Sequence, residues 1–405
     1  MSQRLRVAMF THDAYGVGHI RRATRIARAL AAHDPAAAIL LISGSPATRL
    51  FADLPPNADY VKIPTIVTSG VGDTRPPMLP IGLAGLAGMR AAMVRDTLEV
   101  FAPDVVLIDN FPLGTRFELL PALLTLRAMG TPVVLGLRDI VDPPERVRAD
   151  WQRDGVYEVL DRYYDRIVVY GVPEILDAAE AYGLPPAVAA KVLYCGFVTE
   201  VPSAPPAAAP DVPGSGDLLA TAGAGRDGLP LLDAFIRAMA ELPGRRATVI
   251  GGESMSVDDR ATLQAMCAAE PRITWLDDVP DLPARIAVAE LVVAMAGYNT
   301  ALEIVAAGTR AVLVPRTWRS GEHATRAGTR RTDGEQLLRA AWLARLGLVQ
   351  MLHPAELSPG RLAAAVREAL AAPRPEPGGG LALDGADRVA RQLLGLARGD
   401  RDDAT

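Results

Sequence analysis

The residues best suited to chemistry in this chain are a histidine, two aspartates and a glutamate, each placed next to glycines or at the end of an apolar run. In the stretch THDAYGVGH, residues 11–19, Gly16 and Gly18 allow a ligand to approach the main chain, and His19 lies where a helix begins. The positive end of a helix dipole favours a neutral imidazole, which keeps it competent as a base. A tight turn with a capping or buried histidine is the plainer reading, and His12, nearer the strand end, reads as structural. Asp109, followed by Asn110, ends the run VVLID; it could orient His19, serve as the base itself, or merely cap a helix. Arg138 and Asp139 end the next apolar run and carry the same ambiguity.

Two further loops could hold a phosphate. TAGAGRDG, residues 221–228, carries Gly223 and Gly225 and could wrap an anion with main-chain N–H groups. In AMAGYNTALEIVAAG, residues 294–308, a strand ends at Gly297 and either Asn299 or Thr300 is expected to cap a helix. The first N–H groups there, from Gly297, Tyr298, Asn299 and Thr300, suit a diphosphate. Glu303 could accept both hydroxyls of a ribose, or be a solvated glutamate in an early turn. Residues 316–331 hold five arginines, and Glu335 and Gln336 begin the next helix. A solvated loop explains most of these arginines; an anion grip explains the rest. Asp277, Asp278 and Asp281 lack the DxD spacing of a metal–diphosphate site and read as loop and capping residues.

These residues need a framework that brings loops together, and the chain supplies one. Apolar runs at 6–10, 38–42, 60–63, 105–108, 133–137 and 167–169 alternate with amphipathic stretches such as 20–33 and 117–129. That βαβα rhythm predicts an α/β fold with a doubly wound parallel sheet. Residues 201–216, VPSAPPAAAPDVPGSG, have no periodicity and read as a linker. The rhythm then restarts at 218–221, 247–250, 273–275, 291–294 and 311–314. The expected organisation is a domain at 1–200, a linker at 201–216, a second domain at 217–380, and a C-terminal helix within 381–405 that packs back toward the first. Ligands of open parallel sheets bind beyond the carboxyl ends of the strands, where all the loops named above fall.

Composition narrows the function classes. The chain has 405 residues and a net charge of −5 with no long basic run, so no nucleic-acid partner is expected. Cys195 and Cys267 are its only cysteines and form no metal-ligand spacing, so neither a metal nor another cofactor is expected. The N-terminus reads as a first strand rather than a signal peptide, and no run is long enough to cross a membrane. A cytoplasmic protein is expected. An apolar stretch around residues 77–89 leaves room for peripheral contact with a membrane or a hydrophobic acceptor, and a buried helix explains it equally well.

The loop GVGH with His19, the TAGAG loop, WLDDVPDLPARIAVAELVV, GYNTALEIVAAG with Glu303, and Glu335-Gln336 together resemble nucleotide-sugar enzymes of the GT-B fold. They are most similar to the MurG-like N-acetylglucosaminyltransferases of family 28, in order along the whole chain. The resemblance implies two Rossmann-like domains facing across a cleft, with the acceptor on the first and the donor nucleotide on the second. It implies that Glu303 binds ribose, the amides of Gly297–Thr300 bind diphosphate, and Gln336 binds hydroxyls of the donor sugar. The expected activity is inverting, metal-independent transfer from a nucleotide-diphosphate sugar, with a uridine diphosphate donor as the family's commonest choice. The first loop departs from the family's glycine-richer form, and the segment from Pro315 to Glu335 is longer than its counterpart. GVGHIRR also resembles the nucleotide-sugar hydrolase of the pseudaminic-acid pathway, so a hydrolase or epimerase is an alternative. A catalytically silent binding subunit is a third.

Overall fold

The computed structural model describes residues 4–11, 18–46, 48–68, 74–75, 79, 81–201, 216–279, 281–318, 331–332 and 334–399. His12, Gly16, most of the expected linker and most of the arginine-rich loop lie outside the described residues. The chain divides into two compact units. One is Met1–Val198 together with Asp384–Thr405, and the other is Thr199–Leu383.

The first unit is built on strands β1 (Arg6–Thr11), β2 (Ala38–Ser43), β3 (Ala58–Lys62), β4 (Val105–Asp109), β5 (Val133–Arg138), β6 (Arg166–Tyr170) and β7 (Val192–Tyr194). All are parallel, in the order β3-β2-β1-β4-β5-β6-β7. The central strands are buried throughout because helices cover both faces, hence their unbroken runs of Val, Ile and Leu. Helix α1 (Gly18–His33) connects β1 to β2 and buries Ile20, Ala23, Ile26, Ala27 and Leu30, the spacing of one helical face. Helix α2 (Leu83–Phe101) takes in most of the apolar stretch, burying Leu86 and Ala87 while leaving Met89 exposed. Helix α3 spans Leu120–Met129, starting later than the expected residue 117, because Arg116 and Phe117 adopt positive φ and break the run.

The second unit repeats the plan with β8 (Leu218–Thr221), β9 (Ala247–Ile250), β10 (Ile273–Leu276), β11 (Leu291–Ala294), β12 (Arg310–Leu313) and β13 (Gln350–Met351). Their order is β10-β9-β8-β11-β12-β13, again all parallel. Helix α4 (Tyr298–Ala307) follows β11, and α5 (Gly334–Arg345) precedes β13. The chain then returns to the first unit. Helix α6 (Gly385–Arg398) packs on α1, with Arg398 Nη2 donating to Asp34 Oδ2 at 3.1 Å. The doubly wound α/β class expected from the sequence is what forms.

Candidate active site

Each sheet reverses its direction of winding once, between β1 and β4 in the first unit and between β8 and β11 in the second. Beyond the carboxyl ends of the strands, such a switch point opens a crevice. His19 follows β1 and Asp109 ends β4. Gly223 and Gly225 follow β8, while Gly297, Tyr298, Asn299 and Thr300 follow β11. The two halves thus place their chemistry at equivalent positions.

In the first unit, α1 starts at Gly18, which sets His19 in the opening turn. His19 Nδ1 bonds to Asp109 Oδ2, and Arg22, one turn further along the helix, holds the same carboxylate. Arg22 Nη2 donates to Asp109 Oδ1 at 2.9 Å and Oδ2 at 3.0 Å, and its Nε donates to Oδ1 at 3.2 Å. Arg22 is only 2% exposed, and its guanidinium carbon lies 4.9 Å from the ring centre of Tyr170. Burial by itself would raise the Asp109 pKa, but the Arg22 charge and the His19 contact outweigh it and bring the carboxyl down to about 2. An ionised Asp109 accepts Nδ1–H, which assigns the ring's lone pair to Nε2. Arg22 Nη2 also comes within 2.9 Å of Nδ1, and in this tautomer that approach is a contact rather than a hydrogen bond.

Burial lowers the His19 pKa below 6.5. Asp109 opposes the shift, whereas Arg22 and Arg138 reinforce it. The imidazole is therefore neutral at pH 7, as a general base must be.

In the second unit, Gly223 N donates to Thr221 Oγ1 at 3.2 Å, and the loop turns through positive φ at Gly223 and Gly225. A methyl group on Gly225 would fall 2.1 Å from the Gly251 carbonyl, so glycine is required for the loops after β8 and β9 to pack main chain to main chain. Helix α4 is capped by Gly297, not by Asn299 or Thr300 as expected, so the cap residue itself has no side chain to offer the first N–H groups. Gly297 enters the helix in extended conformation, which lets α4 begin two residues earlier and sets Asn299 and Thr300 inside its first turn. Glu303 lies in the second turn and is 2% exposed, so the solvated alternative is wrong for this residue.

Helix α5 braces this corner. Arg339, almost fully buried, donates from Nη1 to the Ala296 carbonyl at 2.9 Å and from Nη2 to Glu335 at 2.8 Å. Its guanidinium also lies over the Tyr298 ring, 5.5 Å from the centre. Gln336 accepts a hydrogen bond from Arg316 N at 3.0 Å, and Arg316 faces Asp227 at 3.6 Å. Asp277 accepts from Trp275 and Gln264 at 2.9 and 3.2 Å, and also from Arg260.

The sequence reading gave no role to Arg22, though it closes the GVGHIRR stretch, and did not single out Arg339. Arg22 stands three residues after His19 and Arg339 four after Glu335, spacings that put each pair on one helical face. That spacing was the available signal.

Residues 257–377 match the family described as glycosyltransferase family 28 C-terminal domain. The chain is a glycosyltransferase, and over that segment it is similar to family 28. Over 403 residues, 95% of this transferase and 97% of the relative, it is 27% identical to a UDP-N-acetylglucosamine–N-acetylmuramyl-(pentapeptide) pyrophosphoryl-undecaprenol N-acetylglucosamine transferase of Solidesulfovibrio magneticus. A protein of the same description from Methylorubrum populi is 35% identical over 116 residues, 27% of the transferase and 28% of the relative. Among solved structures, MurG of Acinetobacter baumannii superposes with a TM-score of 0.58 at 15% identity, covering 96% of the transferase and 99% of that chain. That structural likeness is one of GT-B fold, matching the two doubly wound sheets of the transferase.

Proposed function

We propose that the transferase moves N-acetylglucosamine from a uridine diphosphate donor to a hydroxyl of a lipid-linked sugar acceptor, with inversion at the anomeric carbon and without a metal. The observation that carries this reading is the His19–Asp109–Arg22 relay, which supplies a neutral base fixed in one tautomer. The names of the relatives supply donor and acceptor class.

In this reading, His19 Nε2 takes the proton of the acceptor hydroxyl as its oxygen attacks the anomeric carbon. The bond from that carbon to the diphosphate breaks, and its electron pair leaves with the nucleotide. Asp109 stabilises the imidazolium that forms. The N–H groups at the start of α4 receive the diphosphate, and Gly223 and Gly225 let the neighbouring loop come close to it. Glu303 binds the ribose, while Glu335 and Gln336 face the donor sugar. Fixed main-chain dipoles thereby do the work a metal would do.

The acceptor's lipid is assigned to the first unit, where Met89 and Phe117 are 44% and 49% exposed on neighbouring elements. We therefore propose a membrane-peripheral enzyme, and place it on the cytoplasmic side as part of the same reading. Among the described residues, no helix is long and apolar enough to cross a membrane.

The test is an assay with UDP-N-acetylglucosamine and a short-chain polyprenyl-pyrophosphoryl N-acetylmuramyl pentapeptide. Transfer to the acceptor is expected, with slow release of uridine diphosphate when acceptor is omitted. His19→Ala should lose about 10²–10⁴-fold in turnover while retaining donor affinity. Equal rates of donor breakdown with and without acceptor would point instead to a hydrolase.

A further inference from the structure

Asn110 follows Asp109 directly, in a turn that costs the chain conformational freedom. Its φ is +67°, and Phe111 N donates to the Asp109 carbonyl at 2.8 Å, closing a three-residue turn around it. Asparagine tolerates the left-handed region better than most residues, so the turn alone accounts for the backbone. It does not account for the side chain. Asn110 is 2% exposed, and neither its Oδ1 nor its Nδ2 meets a hydrogen-bonding partner among the described residues. Burying a carboxamide with both ends unsatisfied is costly, and glycine would make the same turn without that cost. The main-chain N–H is already satisfied by Gly136 O at 2.7 Å, so the carboxamide is not needed there.

We infer that the Asn110 carboxamide is a specificity-determining contact for the acceptor, and that it binds a neutral group able both to donate and to accept, an acetamido or hydroxyl group of the acceptor sugar. The chemistry of the two orphaned atoms selects this class. A phosphate or carboxylate offers only acceptors and leaves Oδ1 unsatisfied. An ammonium offers only donors and leaves Nδ2 unsatisfied. An acetamido group presents one of each, matching the carboxamide edge to edge, and a hydroxyl presents both on one atom. The position fits because Asn110 follows directly the residue that orients His19, at the same strand end. Rotation about the side chain's own two torsions brings the carboxamide to the acceptor as it seats. This inference rests on the proposed placement of the acceptor on the first unit.

The test compares the full chain with Asn110→Gly and Asn110→Ala, using the donor and acceptor named above. Melting of the ligand-free proteins is measured beside the KM of each substrate. Asn110→Gly should melt at or above the wild type, because two unsatisfied groups are gone and glycine accepts the positive φ. Its acceptor KM should rise by about tenfold, the loss of one net hydrogen bond, while the donor KM holds. Asn110→Ala should show the same acceptor defect and melt below the glycine variant, because alanine resists this turn. An acceptor lacking the N-acetyl group should narrow the gap between wild type and Asn110→Gly if the acetamido is read, and leave it if a hydroxyl is. A glycine variant that melts below the wild type means the carboxamide is satisfied in the resting protein, by a buried water for instance, and overturns the inference. So does an unchanged acceptor KM. Failure of the base assignment is seen separately, as normal turnover in His19→Ala. A wild type that transfers nothing to this acceptor counts against the proposed acceptor, and the melting order of Asn110→Gly then decides whether the carboxamide is unsatisfied.

Discussion

Arg22 and Asp109 stand 87 residues apart and meet through three hydrogen bonds of 2.9 to 3.2 Å, both almost fully buried. The pair joins α1 to the end of β4, and His19 leans on the same carboxylate. An unpaired buried carboxylate would take up a proton and cease to orient the imidazole. Arg22 prevents this, and its fixed position makes the direction of the Asp109–His19 bond a property of the fold.

The first prediction concerns pH. The His19 pKa is lowered, so its neutral form persists from below pH 6.5 upward, and kcat/KM should fall on the acid side of 6.5 as the ring protonates. Asp109 titrates lower, near 2, and its stabilising contribution should be complete above its ordinary 3.8 and lost as pH falls through 2. Arg22→Met removes a cation that disfavours imidazolium, so the acid limb should move to higher pH while Asp109 stays ionised. Stripping one partner from a buried pair should also cost about 3–5 kcal/mol. A pH–rate profile identical to wild type in this variant, measured where it remains folded, refutes the relay.

The second concerns the start of α4. A methyl group at Gly297 would meet nothing within 4 Å, and its φ of −62° suits any residue. Gly297→Ala should therefore change stability by less than about 1 kcal/mol. That open side is where a diphosphate seated on the start of α4, as proposed, would approach, so uridine diphosphate should meet the methyl and bind more weakly, read by calorimetry. Unaltered affinity would move the diphosphate elsewhere.

The third concerns the brace behind that helix. Arg339→Met preserves bulk but leaves the buried Ala296 carbonyl without its donor, a loss of about 1–3 kcal/mol. Donor affinity should fall with it, because Ala296 leads directly into the cap of α4, and Arg339→Lys should recover part of both. A lower melting temperature with wild-type donor affinity would limit Arg339 to a structural role.

The sheets were legible because strands buried on both faces must be written as apolar runs, and those runs mark nearly every central strand. The edge strands Val192–Tyr194 and Gln350–Met351 were not, being two or three residues long and only half-buried. His19 and Asp109 could be singled out because each sits beside a strand end or glycine, and Glu303 because it falls in a helix that follows a strand and a glycine. Arg22 and Arg339 could not, because an arginine on an amphipathic helix ordinarily faces water, and only the packing of distant strands reveals that these two do not. The cap of α4 misled for a related reason. Asn299 and Thr300 have capping side chains, but Gly297 takes the cap position first, in extended conformation, and sets both of them inside the first turn.

Helix α6 lies at the far end of the chain, yet it covers α1, the helix that carries His19 and Arg22. During synthesis, the sheet of the first unit emerges long before this cover exists, and the whole second unit must be made in between. The face of α1 that α6 covers therefore waits exposed until residues 385–398 have been made. A premature stop before residue 385 would leave the second unit whole and the first, with His19 and Arg22, unsealed, a product prone to stick to its neighbours rather than merely to run slowly.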